Sequence, residues 1–111
     1  MGRWAQARKR GTDRGAGPAF AYAPPAAGDW TLTLAFITAT IHIVSSPVGP
    51  TNYLVAESFD SGGPYGLEGS SDIGDDYNYA PVIDPRYYVI AWADVDNNQL
   101  SPYSAEKVVH L

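Results

Sequence analysis

The sequence predicts a single all-β domain, an antiparallel sandwich over residues 31–111, preceded by a flexible basic extension over residues 1–30. Three observations predict it. Apolar and β-branched residues alternate in short stretches instead of recurring every three to four residues. Turn formers are abundant, with 11 Gly and 9 Pro among 111 residues, and they punctuate each stretch. No segment carries a helical period. A chain of this length makes one domain with a buried core if most of it contributes.

Residues 1–28 are Gly, Ala, Pro and Arg without a sustained apolar period, and Ala23-Pro24-Pro25-Ala26-Ala27-Gly28 reads as a linker. Trp4, Phe20 and Tyr22 are its aromatic anchors; they dock on the body or on a neighbouring subunit, or stay loose. Residues 31–44 are apolar after a basic start, as in a leader or anchor. Four threonines and His42, and too short a run to span a bilayer, favour a strand. Leu32, Leu34 and Phe36 alternate, then Ile37, Ala39, Ile41 and Ile43 take the opposite phase. The switch predicts a bulge or the junction of two strands at Phe36-Ile37. Ser45 to Pro50 is a turn. Asn52 to Phe59 is a strand with Tyr53, Val55 and Phe59 on one face and Leu54 and Ala56 on the other, the first face interrupted by Glu57. Asp60 to Asp76, with five glycines, reads as a long loop. Tyr77 to Tyr79 is a short strand, Tyr87 to Ala93 a long buried one, and Ala105 to Leu111 a final strand.

Charge is divided unevenly. Residues 1–30 carry five cations and two acids, a net of +3; residues 31–111 carry Arg86 and Lys107 against ten acids, a net of −8. The acidic body would repel a phosphate backbone, which excludes nucleic acid as a ligand class. The absence of cysteine excludes disulfides, thiol catalysis and Cys-based zinc sites.

Asp94-Val95-Asp96-Asn97-Asn98 sets three oxygen-bearing side chains at alternate positions, the spacing with which tight loops hold calcium. Asp94, Asp96 and Asn98 take the first three places, the Leu100 carbonyl the next, and Glu106 lies one place beyond the expected terminal acid. Gln99 stands where glycine is expected. The ordinary reading is turn chemistry, because Asx side chains bond their own backbone. Asp72, Asp75, Asp76 and Glu68 form a second acidic stretch that reads as a solvated loop. His42 and His110 are far apart in sequence and neither adjoins a serine nucleophile motif, so no catalytic residues are assigned. The many tyrosines either fill a core poor in leucine or present contact surface.

Thr38-Ala39-Thr40-Ile41-His42-Ile43, Gly49-Pro50-Thr51-Asn52-Tyr53-Leu54-Val55-Ala56, and Tyr77-Asn78-Tyr79 followed by Val82 and Tyr87-x-Val89-x-Ala91-x-x-Asp94 resemble carboxypeptidase-regulatory-like, or transthyretin-like, β-sandwich domains. Collagen-adhesin B-type repeats share that architecture. The turn before Tyr87 departs from the usual Pro-x-Gly, and Lys107, the only lysine after residue 9, does not support an internal isopeptide bond. Histidines and arginines are too few for the hydrolase relatives of transthyretin. The resemblance implies a non-catalytic extracellular or cell-surface module for structure, assembly or adhesion. The Asp94 loop adds stabilisation by calcium, and the nearly uncharged 31–44 strand behind an extension carrying Trp4, Phe20 and Tyr22 predicts self-association into a homo-oligomer or filament through that N-terminal region. A neighbouring surface protein is the other expected partner, and a carbohydrate-binding accessory domain using exposed tyrosines is the second reading. No membrane span is expected.

Overall fold

A computed structural model describes residues 20–80, 82 and 85–110. Seven strands follow one another: β1 Trp30–Ala35, β2 Thr38–Ile43, β3 Asn52–Ser58, β4 Gly66–Asp72, β5 Tyr77–Tyr79, β6 Arg86–Ala93 and β7 Lys107–Val109. The helical content of the described residues is one 3₁₀ turn at Ala27–Asp29. One sheet has the order β1-β2-β5 and the other β4-β3-β6-β7, all antiparallel. The predicted all-β antiparallel sandwich is therefore the observed fold.

The phase switch at Phe36-Ile37 is the junction of two strands. β1 and β2 pair from Trp30↔Ile43 to Ala35↔Thr38, leaving a two-residue hairpin turn. Phe36 sits in that turn at φ 55°, a left-handed conformation unusual for a bulky side chain. Trp30, Ala39, Ile41 and Ile43 from this sheet meet Tyr53, Val55, Tyr88, Ile90 and Trp92 from the other, and together they form the core. Each such large side chain stabilises the fold by about 1.5–3 kcal/mol on full burial.

β3 and β6 are central and buried on both faces, which is why both read as dense apolar runs. The Asp60–Asp76 stretch, predicted as a loop, contains strand β4. Its residues are Gly, Ser and acids with one leucine, so no hydrophobic alternation marks it. Backbone pairing to β3 makes it a strand at the sheet edge. Gly69 leaves room for Tyr77: a Cβ would stand 2.6 Å from its hydroxyl and displace the ring.

Beyond the three residues of β7, the free edge of β6 is completed by side chains. Ser101 Oγ accepts from the Trp92 N–H at 2.9 Å, and Ser104 Oγ accepts from the Ile90 N–H at 3.0 Å. The Leu100 and Ser104 N–H groups return bonds to the Trp92 and Ile90 carbonyls, both at 2.8 Å. Lys107 closes the seam between the sheets, donating to the Ala27 and Trp30 carbonyls at 2.8 Å each.

Ser101→Ala strands the buried Trp92 N–H without its acceptor. It should lower stability by about 1–3 kcal/mol, read as a lower denaturant midpoint at unchanged slope. A loss below about 0.5 kcal/mol would show that the N–H finds another partner.

Candidate binding site at one end of the sandwich

At the end of the molecule where β3 finishes and β6 begins, inward-facing positions are polar instead of apolar. Glu57 and Arg86 occupy core-facing positions of β3 and β6, and form an ion pair in which Arg86 is only 3 % exposed. The sequence marked Glu57 as an interruption of the β3 face; Arg86 is the reason it is tolerated, because a buried charge needs a hydrogen-bonded partner. The guanidinium lies 4.2 Å from the Phe59 ring centroid and 5.5 Å from that of Tyr79. Burial works against its charge, but hydrogen bonds to Glu57 and Tyr79 prevail and raise its pKa.

A β-bulge brings in a second carboxyl group. Val55 pairs with Gly69 and Ala56 with Leu67, so Glu68 is the extra residue of β4. Regular pairing would aim Glu68 away from the other sheet. The bulge turns it inward, and its Oε2 accepts from the Tyr77 hydroxyl at 3.2 Å. Its carboxyl is pushed up to about 7, first by hydrogen bonding with Glu57, then by burial and the Glu57 charge. Burial and the Glu68 charge push the Tyr77 hydroxyl up to about 12. Burial raises the Tyr88 hydroxyl further. Among the described residues, Arg86 Nε and the fully buried Tyr88 hydroxyl find no hydrogen-bond partner.

Outside this cluster lies an open groove of about 330 Å³, lined by Glu57, Phe59, Asp60, Pro64, Leu67 and Arg86, among others. Its rim is apolar. Phe59 is 57 % and Leu67 67 % exposed, and the β1–β2 turn presents Phe36 at 90 % with Ile37 beside it. Val82 anchors that turn, since its N–H donates to the Ile37 carbonyl at 2.9 Å while its side chain is buried. The left-handed backbone at Phe36 costs energy and places an aromatic ring in solvent, the kind of stored strain found at contact sites.

The residues singled out in the sequence fall elsewhere. Asp94 Oδ1 accepts from the Asp96 and Asn98 N–H groups, each at 2.9 Å, and Oδ2 accepts from the Asn98 side chain at 3.0 Å. These bonds, led by the one from the Asn98 backbone, hold the Asp94 carboxyl below its usual range. Glu106 is not near this loop. It accepts from Ser61, Tyr65 and the Gly62 N–H, the last at 2.8 Å, and so pins the β3–β4 loop. The Leu100 carbonyl accepts from the Tyr22 N–H at 3.3 Å. The expected five-residue donor set is therefore divided between two places. Among the described residues no group of three or more His, Cys, Asp or Glu side chains is placed to hold a metal ion.

Of the expected partner contacts, Trp4 lies outside the described residues. Phe20 is exposed, and Tyr22 packs on its own domain, over Gly49. Gly49 has φ +122° and a Cβ there would come 1.9 Å from the Tyr22 hydroxyl oxygen, so glycine is needed for both reasons. His42 and Asp76 form an exposed pair at 2.7 Å. Sequence reading missed the Glu57–Glu68–Arg86 cluster; the available signal was a lone arginine beside a strand that also carries an acid on its inward face.

The raised Glu68 pKa fixes the sign of a pH effect. The folded state holds its proton more tightly than the unfolded state, so this group stabilises fully below about pH 4.5 and loses its contribution as pH rises through about 7. Glu68→Gln should flatten the fall in melting temperature between those limits, leaving the opposite, low-pH effect of Asp94 in place. An identical pH profile for the variant would show that Glu68 titrates normally.

Comparison with known proteins supports the architecture. The chain is similar to the crystal structure of an Fn3-like protein from Clostridium thermocellum, with 26% sequence identity, 82% of this chain and 90% of that chain covered, and a TM-score of 0.62. No family model matches the chain, and no curated protein matches it. The likeness supports an Ig-like β-sandwich in the broad sense; it does not single out the carboxypeptidase-regulatory-like or transthyretin-like family.

Proposed function

We propose that the chain is a non-catalytic structural or assembly module of the cell surface or extracellular space, self-associating through its N-terminal region. The observation that carries this reading is the gathering of Phe36, Ile37, Phe59 and Leu67, all exposed, at one end of the sandwich. Large apolar side chains left exposed at one end of a domain are the kind of surface that contacts partners. The reactive side chains outside it are engaged in holding loops, as Asp94 and Glu106 are. From the carboxypeptidase-regulatory-like resemblance this reading takes the architecture and the non-catalytic character.

The edge of β1 adds support: Lys107 covers it at the Trp30 carbonyl, but Thr31–Ala35 carry no charge, and uncharged edge strands have little protection against pairing with another chain. The tyrosines favour assembly over a carbohydrate platform. Tyr53 and Tyr88 are buried, Tyr77 and Tyr79 pack against the core, and Tyr65 is bonded to Glu106.

Sedimentation of the full chain against a form lacking residues 1–19 tests this function. That cut keeps the Tyr22 contact and the Asp29 carbonyl, which accepts from Val44 and Ser45. The full chain should associate and the shortened one should not; equal subunit numbers would remove the role of the N-terminal region.

With Glu106 held at the other end, the calcium expectation narrows to Asp94, Asp96 and Asn98. Because Asp94 is already satisfied by its own loop, the expected shift in melting temperature between millimolar calcium and chelator is near zero. A rise of several degrees that Asp96→Ala abolishes would establish the ion as a ligand of the folded state.

A further inference from the structure

β1 lies at the edge of its sheet, and the bonds around it show which of its backbone groups are free. The Asp29 carbonyl accepts from the Val44 N–H at 2.8 Å, on the side of β2. The Trp30 carbonyl accepts from Lys107 Nζ at 2.8 Å, on the opposite side. Backbone groups alternate sides along an antiparallel strand. Thr31, Thr33 and Ala35 therefore bond to β2, while Leu32 and Leu34 turn their N–H and C=O groups to the open edge. Among the described residues no strand pairs there.

The same two leucines leave the core open on that side, since they pack against it and stay half-exposed. A second copy of the chain fits this edge. Residues 31–111 carry a net charge of −8, so two copies repel over most of their surface. At Thr31–Ala35 they can meet without opposing like charges, and each brings the leucines that the other lacks.

We propose that β1 pairs antiparallel with β1 of a second copy about a two-fold axis, joining two three-stranded sheets into one of six. The proposal rests on the self-association reading above and places the contact at the first strand behind the N-terminal segment. The free groups set the register. Leu32 opposite the partner's Leu34, and Leu34 opposite the partner's Leu32, are two pairs that exchange two bonds each and use every free group of both leucines. Centring on Leu32 would set Leu34 against the partner's Trp30, whose carbonyl is already held by Lys107. Centring on Leu34 would set Leu32 against the partner's Phe36, which the turn holds at φ 55°, outside strand geometry. The remaining register puts Thr33 on the axis opposite the partner's Thr33, a favourable cross-strand pair. It also brings the exposed Phe36 across from the partner's Trp30. Such a self-complementary contact closes at two copies.

Thr33 is exposed, so changes there test the contact without touching the core. In sedimentation velocity the unmodified chain should form dimers. T33K and T33E, shown by thermal melting to be folded, should each dimerise at least about tenfold more weakly, because like charges then meet on the axis. Their equimolar mixture should restore a 1:1 dimer. T33C reads the register in a chain that has no cysteine of its own. The two Cα atoms of this non-hydrogen-bonded pair should stand about 4.5 Å apart, within disulfide reach, so mild oxidation should link the dimer. T31C should not link, since the two positions lie roughly 13 Å apart. If the unmodified chain associates and T33K and T33E associate equally well, β1 is not the contact, while N-terminal assembly stands. A mixture no tighter than either variant alone, or equal linking of T31C and T33C, also overturns the pairing. A chain lacking residues 1–19 that still pairs, and loses pairing with T33K, upholds the β1 contact and removes the role of residues 1–19. A monomeric unmodified chain overturns both.

Discussion

The pairing of β3 with β6 is the constraint on which the rest of the molecule depends. Seven consecutive pairs, from Asn52↔Ala93 to Ser58↔Tyr87, lock the two central strands. A slip of one residue would turn the whole inward set of the strand that slips out of the core, Tyr53 and Val55 on β3 or Tyr88, Ile90 and Trp92 on β6, since side chains alternate faces. The same register sets Glu57 opposite Tyr88, two residues from Arg86, and so determines that the polar cluster forms at that end. Everything outward of this pair is adaptation to its edges: a bulged, polar β4 on one side, and a short β7 with two serine hydroxyls on the other.

The two ends of the sandwich are held differently. At the chain-entry end, the loop after β6 closes on itself, because Asp94 caps its own turn through backbone and Asx bonds. At the groove end, long-range side-chain bonds do the work, with Glu106 reaching across 41 to 45 residues to Ser61, Gly62 and Tyr65. Local bonds need no partner strand, so that loop keeps its form by itself. The groove end depends on the sandwich being assembled, which couples its shape to global stability. This difference makes the β3–β4 loop and the Phe36 turn the parts whose surface the fold dictates most directly.

Strand positions were legible where side chains carried the signal. β3 and β6 show dense β-branched and aromatic runs, and the phase reversal at Phe36-Ile37 locates the first hairpin. β4 was illegible because its strand character comes from backbone pairing at an edge, where Gly, Ser and acids are accommodated. The assignment of Glu106 to the Asp94 loop followed sequence spacing; the chain between them instead runs along β6, with Ser101 and Ser104 bonded to it, and carries Glu106 away to the opposite end. The candidate groove could not be read at all, since its walls come from β3, β4, β6 and the loop between the first two.

By itself the sequence determined the fold class, the main strands, the division of charge between residues 1–30 and 31–111, and the turn at Asp94, because alternation, composition and Asx chemistry are local properties. Only the tertiary structure decided that Glu68 faces Glu57, that Arg86 is buried between them and Phe59, that Tyr22 folds onto its own domain, and that the chain enters opposite the groove. Those facts depend on strand register and on one bulge, and register is set by many weak pairings acting together across residues distant in sequence.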